Sequence, residues 1–158
     1  MINKVRLFLF LDRKMKLLLI EAFINLGWAR ILKAMPFSKI APSLGEHMTE
    51  TTYNLNSKDT KNLNRISQAI HIMSRYTFWE SQCLVKAIAA MKMLEKRKIE
   101  STLYLGTGKD EQGAFAAHAW LRSGPYYISG SEGMEKFTVV SKFAKKISLK
   151  HSEGENYG

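Results

Sequence analysis

Cysteine is almost missing from this chain of 158 residues: Cys83 stands alone, which excludes an internal disulfide framework. Histidine is nearly as scarce. His47, His71, His118 and His151 show no metal-ligand spacing, so no metal is expected. Acidic residues are also short, with 14 Asp and Glu against 24 Lys and Arg, a net charge of +10 that raises an anionic partner. Basic and acidic side chains number nine and four over residues 1–58, eight and four over 59–100, and seven and six beyond, so the excess lies in the part that reads as helical. No aromatic-basic interleaving of a nucleic-acid module accompanies it. Solvated helix faces, or a surface for acidic proteins, are expected and nucleic acid is not.

Long uninterrupted apolar runs are missing too. Asp12, Arg13, Lys14 and Lys16 break the run from Val5 to Leu11, and Glu21 and Arg30 bracket the run from Leu17 to Met35. Neither approaches the ~18–20 residues that span a bilayer. No small-residue cleavage site follows a short apolar core, so a cytoplasmic protein without membrane association is expected. The stretch reads as one long helix or two consecutive ones, apolar on more than one face, which pack on the rest of the domain or on a partner. Of three prolines, Pro36 and Pro42, with Ser38, Ser43 and Gly45, mark a linker over residues 36–57. The organisation expected is an N-terminal helical extension and linker over 1–57, a core over 58–149 and a solvated tail over 150–158.

The core contains the chemistry. Asp59 can open a helix in which Leu63, Ile66, Ile70 and Met73 share a face, while Lys61, Arg65 and Arg75 turn outward and His71 reads as an ordinary surface histidine. Tyr76 to Trp79 form an aromatic connection to a second helix, apolar almost all round through Met91. Ser81 is the expected N-cap. Cys83 then falls in the first turn, where free backbone N–H groups and the positive end of the helix dipole favour a thiolate. Strands are expected at Thr102–Gly106, Ala114–Leu121, Tyr126–Ser129 and Phe137–Phe143, separated by turns rich in Gly, Asp and Pro. The pattern is α+β, with a central helix packed on an antiparallel sheet.

A sheet leaning on that helix brings His118 to Cys83, as general base for the thiol and then acid for the leaving group. Strand alternation puts His118 and Trp120 on one face and Ala119 and Leu121 on the other, so Trp120 either walls the cleft or packs in the core. The backbone N–H of Cys83, with the Gln82 side chain or a neighbouring N–H, is the candidate oxyanion site.

Ser81-Gln82-Cys83-Leu84-Val85-Lys86-Ala87-Ile88-Ala89-Ala90, then Leu103-Tyr104-Leu105-Gly106, then Ala117-His118-Ala119-Trp120-Leu121, resembles the transglutaminase-like leader peptidase of lasso peptide biosynthesis, in its stand-alone form. The resemblance covers about residues 60–145. It implies a papain-like cysteine protease fold in which Cys83 attacks the bond between leader and core of a ribosomally made precursor peptide, with His118 as base. It also implies a separate leader-recognition protein (a RiPP recognition element) and a separate ATP-dependent, asparagine-synthetase-like lasso cyclase, and a peptidase that needs no cofactor. The family usually adds an acidic residue on the strand after the histidine. Here a hairpin at Ser123–Pro125 is expected to put Ser129 or Gly130 opposite His118, so Ser129, Glu132 or a backbone carbonyl with water stands in as the third member. Acyl transfer to an amine on the same fold, and a non-catalytic interaction or membrane-surface protein that retains this fold, remain as other function classes.

Overall fold

Asp12 divides the apolar N-terminal stretch into two helices. The computed structural model describes residues 2–147, so the expected tail at 150–158 and the last two residues of the expected core lie outside the described residues. Helix α1 spans Ile2–Phe10 and α2 Arg13–Lys33. Between them Asp12 is extended, and its carboxylate accepts the Met15 N–H at 3.3 Å as an N-cap. Leu18, Leu19, Ala22, Leu26 and Ala29 bury one face of α2 against α4 (Thr60–Met73) and α5 (Cys83–Lys96), so α2 belongs to the same core as the helices that follow. Among the described residues no helix is long and apolar enough to cross a membrane.

The linker is more structured than its lack of periodicity indicates. Helix α3 (Phe37–Ile40) leads into a 3₁₀ turn at Ala41–Leu44 and a two-residue strand, β1 (Glu46–His47). The remaining strands are β2 (Ser101–Lys109), β3 (Phe115–Ser123), β4 (Tyr126–Ser129) and β5 (Thr138–Lys145). They form one antiparallel sheet in the order β1-β5-β2-β3-β4. Strand β2 runs three residues beyond its expected end because Asp110 tightens the turn, its carboxylate accepting the Gln112 and Ala114 N–H groups, each at 2.9 Å.

Helix α5 lies between the sheet and α2, packing on β2, β3 and β4 with one side and on α2 and α4 with the other. Ala87, Ala89 and Ala90 are fully buried and let both layers approach. Leu103 and Leu121 face each other across β2 and β3 and are fully buried, each contributing about 1.5–3 kcal/mol. At the far end of α5, Arg97 Nη1 and Nη2 donate to Glu21 Oε1 and Oε2 of α2 at 2.8 and 2.7 Å.

Those hydrogen bonds hold the Glu21 carboxyl below its ordinary value of 4.5, against the opposing effect of burial. A carboxylate whose folded-state value is depressed stabilises the fold above its unfolded value and loses that contribution as acid protonates it. Glu21→Gln is therefore expected to lower stability by about 2 kcal/mol at neutral pH. In thermal melts between pH 7 and 3, the gap from wild type closes as pH falls through and below 4.5. A gap independent of pH would rule this pair out as its source.

Candidate active site

The helix that presents the cysteine starts one residue later than its expected cap. Gln82, extended at φ −82° and ψ −172°, is the N-cap of α5, and Cys83 is its first residue. Ser81 is engaged elsewhere, its hydroxyl 2.8 Å from that of Thr77, which also donates to the Trp79 carbonyl at 3.1 Å. Two ties fix this approach to α2. Trp79 packs on Phe23 with ring centroids 5.0 Å apart, and Lys33 Nζ donates to Glu80 Oε1 at 2.6 Å. Phe78, between the serine knot and these anchors, points into solvent.

The first bond of the α5 ladder runs from the Lys86 N–H to the Gln82 carbonyl at 2.9 Å. The N–H groups of Cys83, Leu84 and Val85 precede it and are free of the ladder, at the positive end of the dipole. Cys83 is half-buried and opens onto a cleft of about 400 Å³ that His118 also lines. The thiol and the imidazole are not hydrogen-bonded to each other.

His118 has a defined orientation. Its Nε2 lies 2.6 Å from the Gly130 carbonyl oxygen, which can only accept, so Nε2 carries the proton and the lone pair of the neutral ring is on Nδ1. Phe137 packs against the ring at 5.0 Å, and Trp120 stacks on it at 5.8 Å and 28°. Trp120 is 5% exposed and does not line the cleft. It lies between His118 and Tyr104, stacked on the latter at 5.6 Å, so it supports the histidine from within the sheet face instead of walling the cleft. Gly106, paired with His118 across the strands, makes room: a Cβ there would lie 2.8 Å from the Trp120 ring.

The expected strand partner of His118 is corrected by register. The two-residue turn pairs Ser123 with Tyr126, a bulge in β4 passes over Ile128, and Ser129 comes opposite Leu121. Strand β4 then ends, leaving His118 three residues along the open edge of β3. The chain turns back at Gly130, with φ +74°, and lies so close to β3 that a Cβ would come within 2.3 Å of the Ala119 carbonyl oxygen. That approach delivers the Gly130 carbonyl to the imidazole. The imidazole's hydrogen bond thus goes to the backbone, and neither Ser129 nor Glu132 takes it. Both line the cleft; the Ser129 hydroxyl is buried without a hydrogen-bond partner.

Sequence reasoning missed two residues here. His71, read as an ordinary surface histidine, is exposed but lines the same cleft, with Arg75 Nη2 donating to its Nε2 at 3.0 Å. Lys86, one turn after Cys83 on the same face of α5, lines it too, a spacing visible in the sequence. Gly130 is one of the two residues expected opposite His118 and a backbone carbonyl one of the expected stand-ins; the carbonyl that bonds the imidazole is that of Gly130.

A cysteine opening a buried helix, packed on an antiparallel sheet whose oriented histidine shares its cleft, is the α+β framework of transglutaminase-like and papain-like thiol proteins. The chain belongs to the transglutaminase-like superfamily, whose family model matches residues 29–142. The match starts inside α2 and ends in β5, so it takes in the linker and both candidate residues. This fold includes cysteine proteases and acyltransferases. No curated protein and no solved structure matches the chain.

Proposed function

We propose that the protein is a cysteine peptidase that removes the leader from a ribosomally synthesised lasso peptide precursor. The precursor is presented by a separate leader-recognition protein, and the released core passes to a separate asparagine-synthetase-like cyclase, in the cytoplasm where the precursor is made. One observation carries the chemistry: the Gly130 carbonyl commits the Nε2 proton of His118, which leaves Nδ1 as the free base of a histidine that lines one cleft with Cys83. The substrate assignment rests on the resemblance of the Cys83 and His118 segments to lasso leader peptidases.

In this mechanism Nδ1 takes the thiol proton as Sγ attacks the carbonyl carbon of the last leader residue, and the imidazolium keeps its Nε2 hydrogen bond to Gly130. Catalytic hydrogen bonds are commonly long before substrate binds, which accounts for the open thiol–imidazole pair. The Cys83 N–H, with Gln82 beside it, stabilises the oxyanion; Gln82 is exposed at the cleft's end of α5 and its side chain makes no cap bond. When the C–N bond breaks, the imidazolium protonates the core's new amino terminus. Water, deprotonated by Nδ1, then hydrolyses the leader thioester and restores the thiol. Gly130 substitutes for the carboxylate usual in the family, in place of Glu132 or Ser129.

The test is mass spectrometry of precursor incubated with the enzyme and the recognition protein, with and without added primary amines. Free leader acid plus intact core supports hydrolysis. Leader amide in place of acid would make the protein an acyltransferase, and an unchanged precursor would favour an interaction protein.

Gly130→Ala tests the carbonyl. The added methyl group meets the Ala119 carbonyl in a left-handed backbone, so the segment must shift and the imidazole loses its orientation. A displacement of about 1 Å at such a site costs roughly 10²-fold in turnover. The expected result is a fall of that size in kcat with KM nearly unchanged; a kcat within twofold of wild type would remove Gly130 from the mechanism.

A further inference from the structure

Helix α2 has a second apolar face that the described chain leaves largely exposed. Leu17, Ile20, Ile24, Trp28 and Ile31 follow one another at spacings of 3, 4, 4 and 3 residues, on the side away from the core. Leu17, Ile24 and Ile31 are 66%, 64% and 66% exposed. The row is four helical turns long, roughly 21 Å. Its first half forms one wall of a groove of about 840 Å³ whose other wall is the end of α5, with Lys92, Glu95, Lys96 and Arg97. An exposed 3-4-4-3 row of branched and aromatic side chains is the pattern one helix offers another.

The charges on the groove select its occupant. Glu21 faces Arg97 at 2.7 Å and Lys96 at 3.9 Å, and Glu95 faces Lys92 at 3.7 Å and Lys145 at 3.4 Å. In the groove itself two carboxylates meet three cations, with Lys145 neutralising Glu95 from outside it, and the rim is left positive. Lys92 also lies over the Trp28 ring at 4.8 Å, holding its charge beside the apolar row. A second copy of this chain would set the same cationic rim against itself, and a flat bilayer would not fill a concave groove between two helices. We infer that this groove docks an acidic amphipathic helix of the leader-recognition protein, so that the partner binds α2 and the end of α5 while the leader–core junction reaches the cleft at the other end of α5. This assignment of the partner rests on the leader-peptidase reading; the apolar row and its positive rim do not.

Binding of the purified recognition protein, loaded with leader peptide, is measured by titration against wild type, Ile24→Asp and the double variant Lys92→Glu/Lys96→Glu. Ile24 is exposed, so its variant is expected to melt as wild type does and to cleave a short, leaderless junction peptide at the wild-type rate. Its affinity for the recognition protein falls about 30-fold, as for a central contact in an interface. The double variant is expected to bind more weakly and to lose the salt dependence of the wild type. Wild-type binding that neither variant weakens overturns the inference, as does no binding by wild type. So does a wild-type dimer that Ile24→Asp dissociates, or binding to anionic phosphatidylserine vesicles in place of the recognition protein. Cleavage of the leaderless peptide reports separately on the peptidase reading: if docking holds and that cleavage is absent, the reading of the cleft fails and the docking surface stands.

Discussion

Cys83→Ala is expected to leave no measurable cleavage of the precursor, a loss of at least about 10⁴-fold, while the protein folds and melts close to wild type. The side chain is only half-buried at the start of α5, and replacing a thiol by a methyl group there leaves a small void at the edge of the cleft. The loss is thus chemical: without Sγ no thioester forms. Because the chain has one thiol, its alkylation by a small electrophile reports on this residue alone. At neutral pH the native thiol is expected to react faster than that of His118→Ala, which lacks the base. Cleavage retained by Cys83→Ala would end the peptidase reading. A thiol that reacts only in denaturant would make Cys83 a packing residue.

The largest effect on stability is expected at Arg122, which chemistry-led reading of the sequence passed over. Arg122 is 1% exposed on β3, on the same strand face as His118 and Trp120. Its Nε donates to the Tyr104 hydroxyl at 2.9 Å, Nη1 to the Gly124 carbonyl at 2.8 Å, and Nη2 to the Thr51 carbonyl at 2.9 Å. The guanidinium also lies 3.8 Å from the Tyr53 ring centre. Tyr104 passes the connection on, donating from its hydroxyl to the Glu50 carboxylate. That hydrogen bond holds Glu50 below the usual carboxylate range, while burial first, and Glu50 second, push Tyr104 well above its ordinary value. One buried cation therefore pins residues 50–53 of the linker over the sheet.

Arg122→Leu fills much of the volume but leaves two or three buried carbonyls without donors, at about 1–3 kcal/mol each before relaxation. Removing one partner from a buried charged network typically costs about 3–5 kcal/mol, which for a chain of this size lowers the melting temperature by about 10 °C. Arg122→Lys keeps the charge but not the fork and is expected to recover only part of the loss. A loss below about 1 kcal/mol by denaturant titration would show that water replaces the guanidinium at these carbonyls.

Much of this fold was legible in local pattern. The α4 stripe of Leu63, Ile66 and Ile70 is buried as its spacing implies, and all four expected strands begin within one residue of their expected starts. Each signal lies within a few residues of chain, where helical or strand period acts directly on which side chains leave water. The two-residue β1 was not legible because its pairing with β5 joins Glu46 to Ala144, and two residues have no period. Ser81 was a plausible cap by residue type, but Thr77, four residues earlier, competes for its hydroxyl.

The sequence by itself determined that one thiol opens an apolar helix, that one histidine follows on a strand, and that no second cysteine competes with the first. Those are properties of composition and short-range order. The tertiary structure alone decided which group orients the histidine, because a bulge in β4 and a left-handed glycine move a carbonyl by a fraction of a residue spacing, which no periodicity encodes. It also decided which apolar face of α2 is used. Both faces of that helix are written in the same hydrophobic residues, and only packing against α4 and α5 consumes one and leaves the other open to a partner.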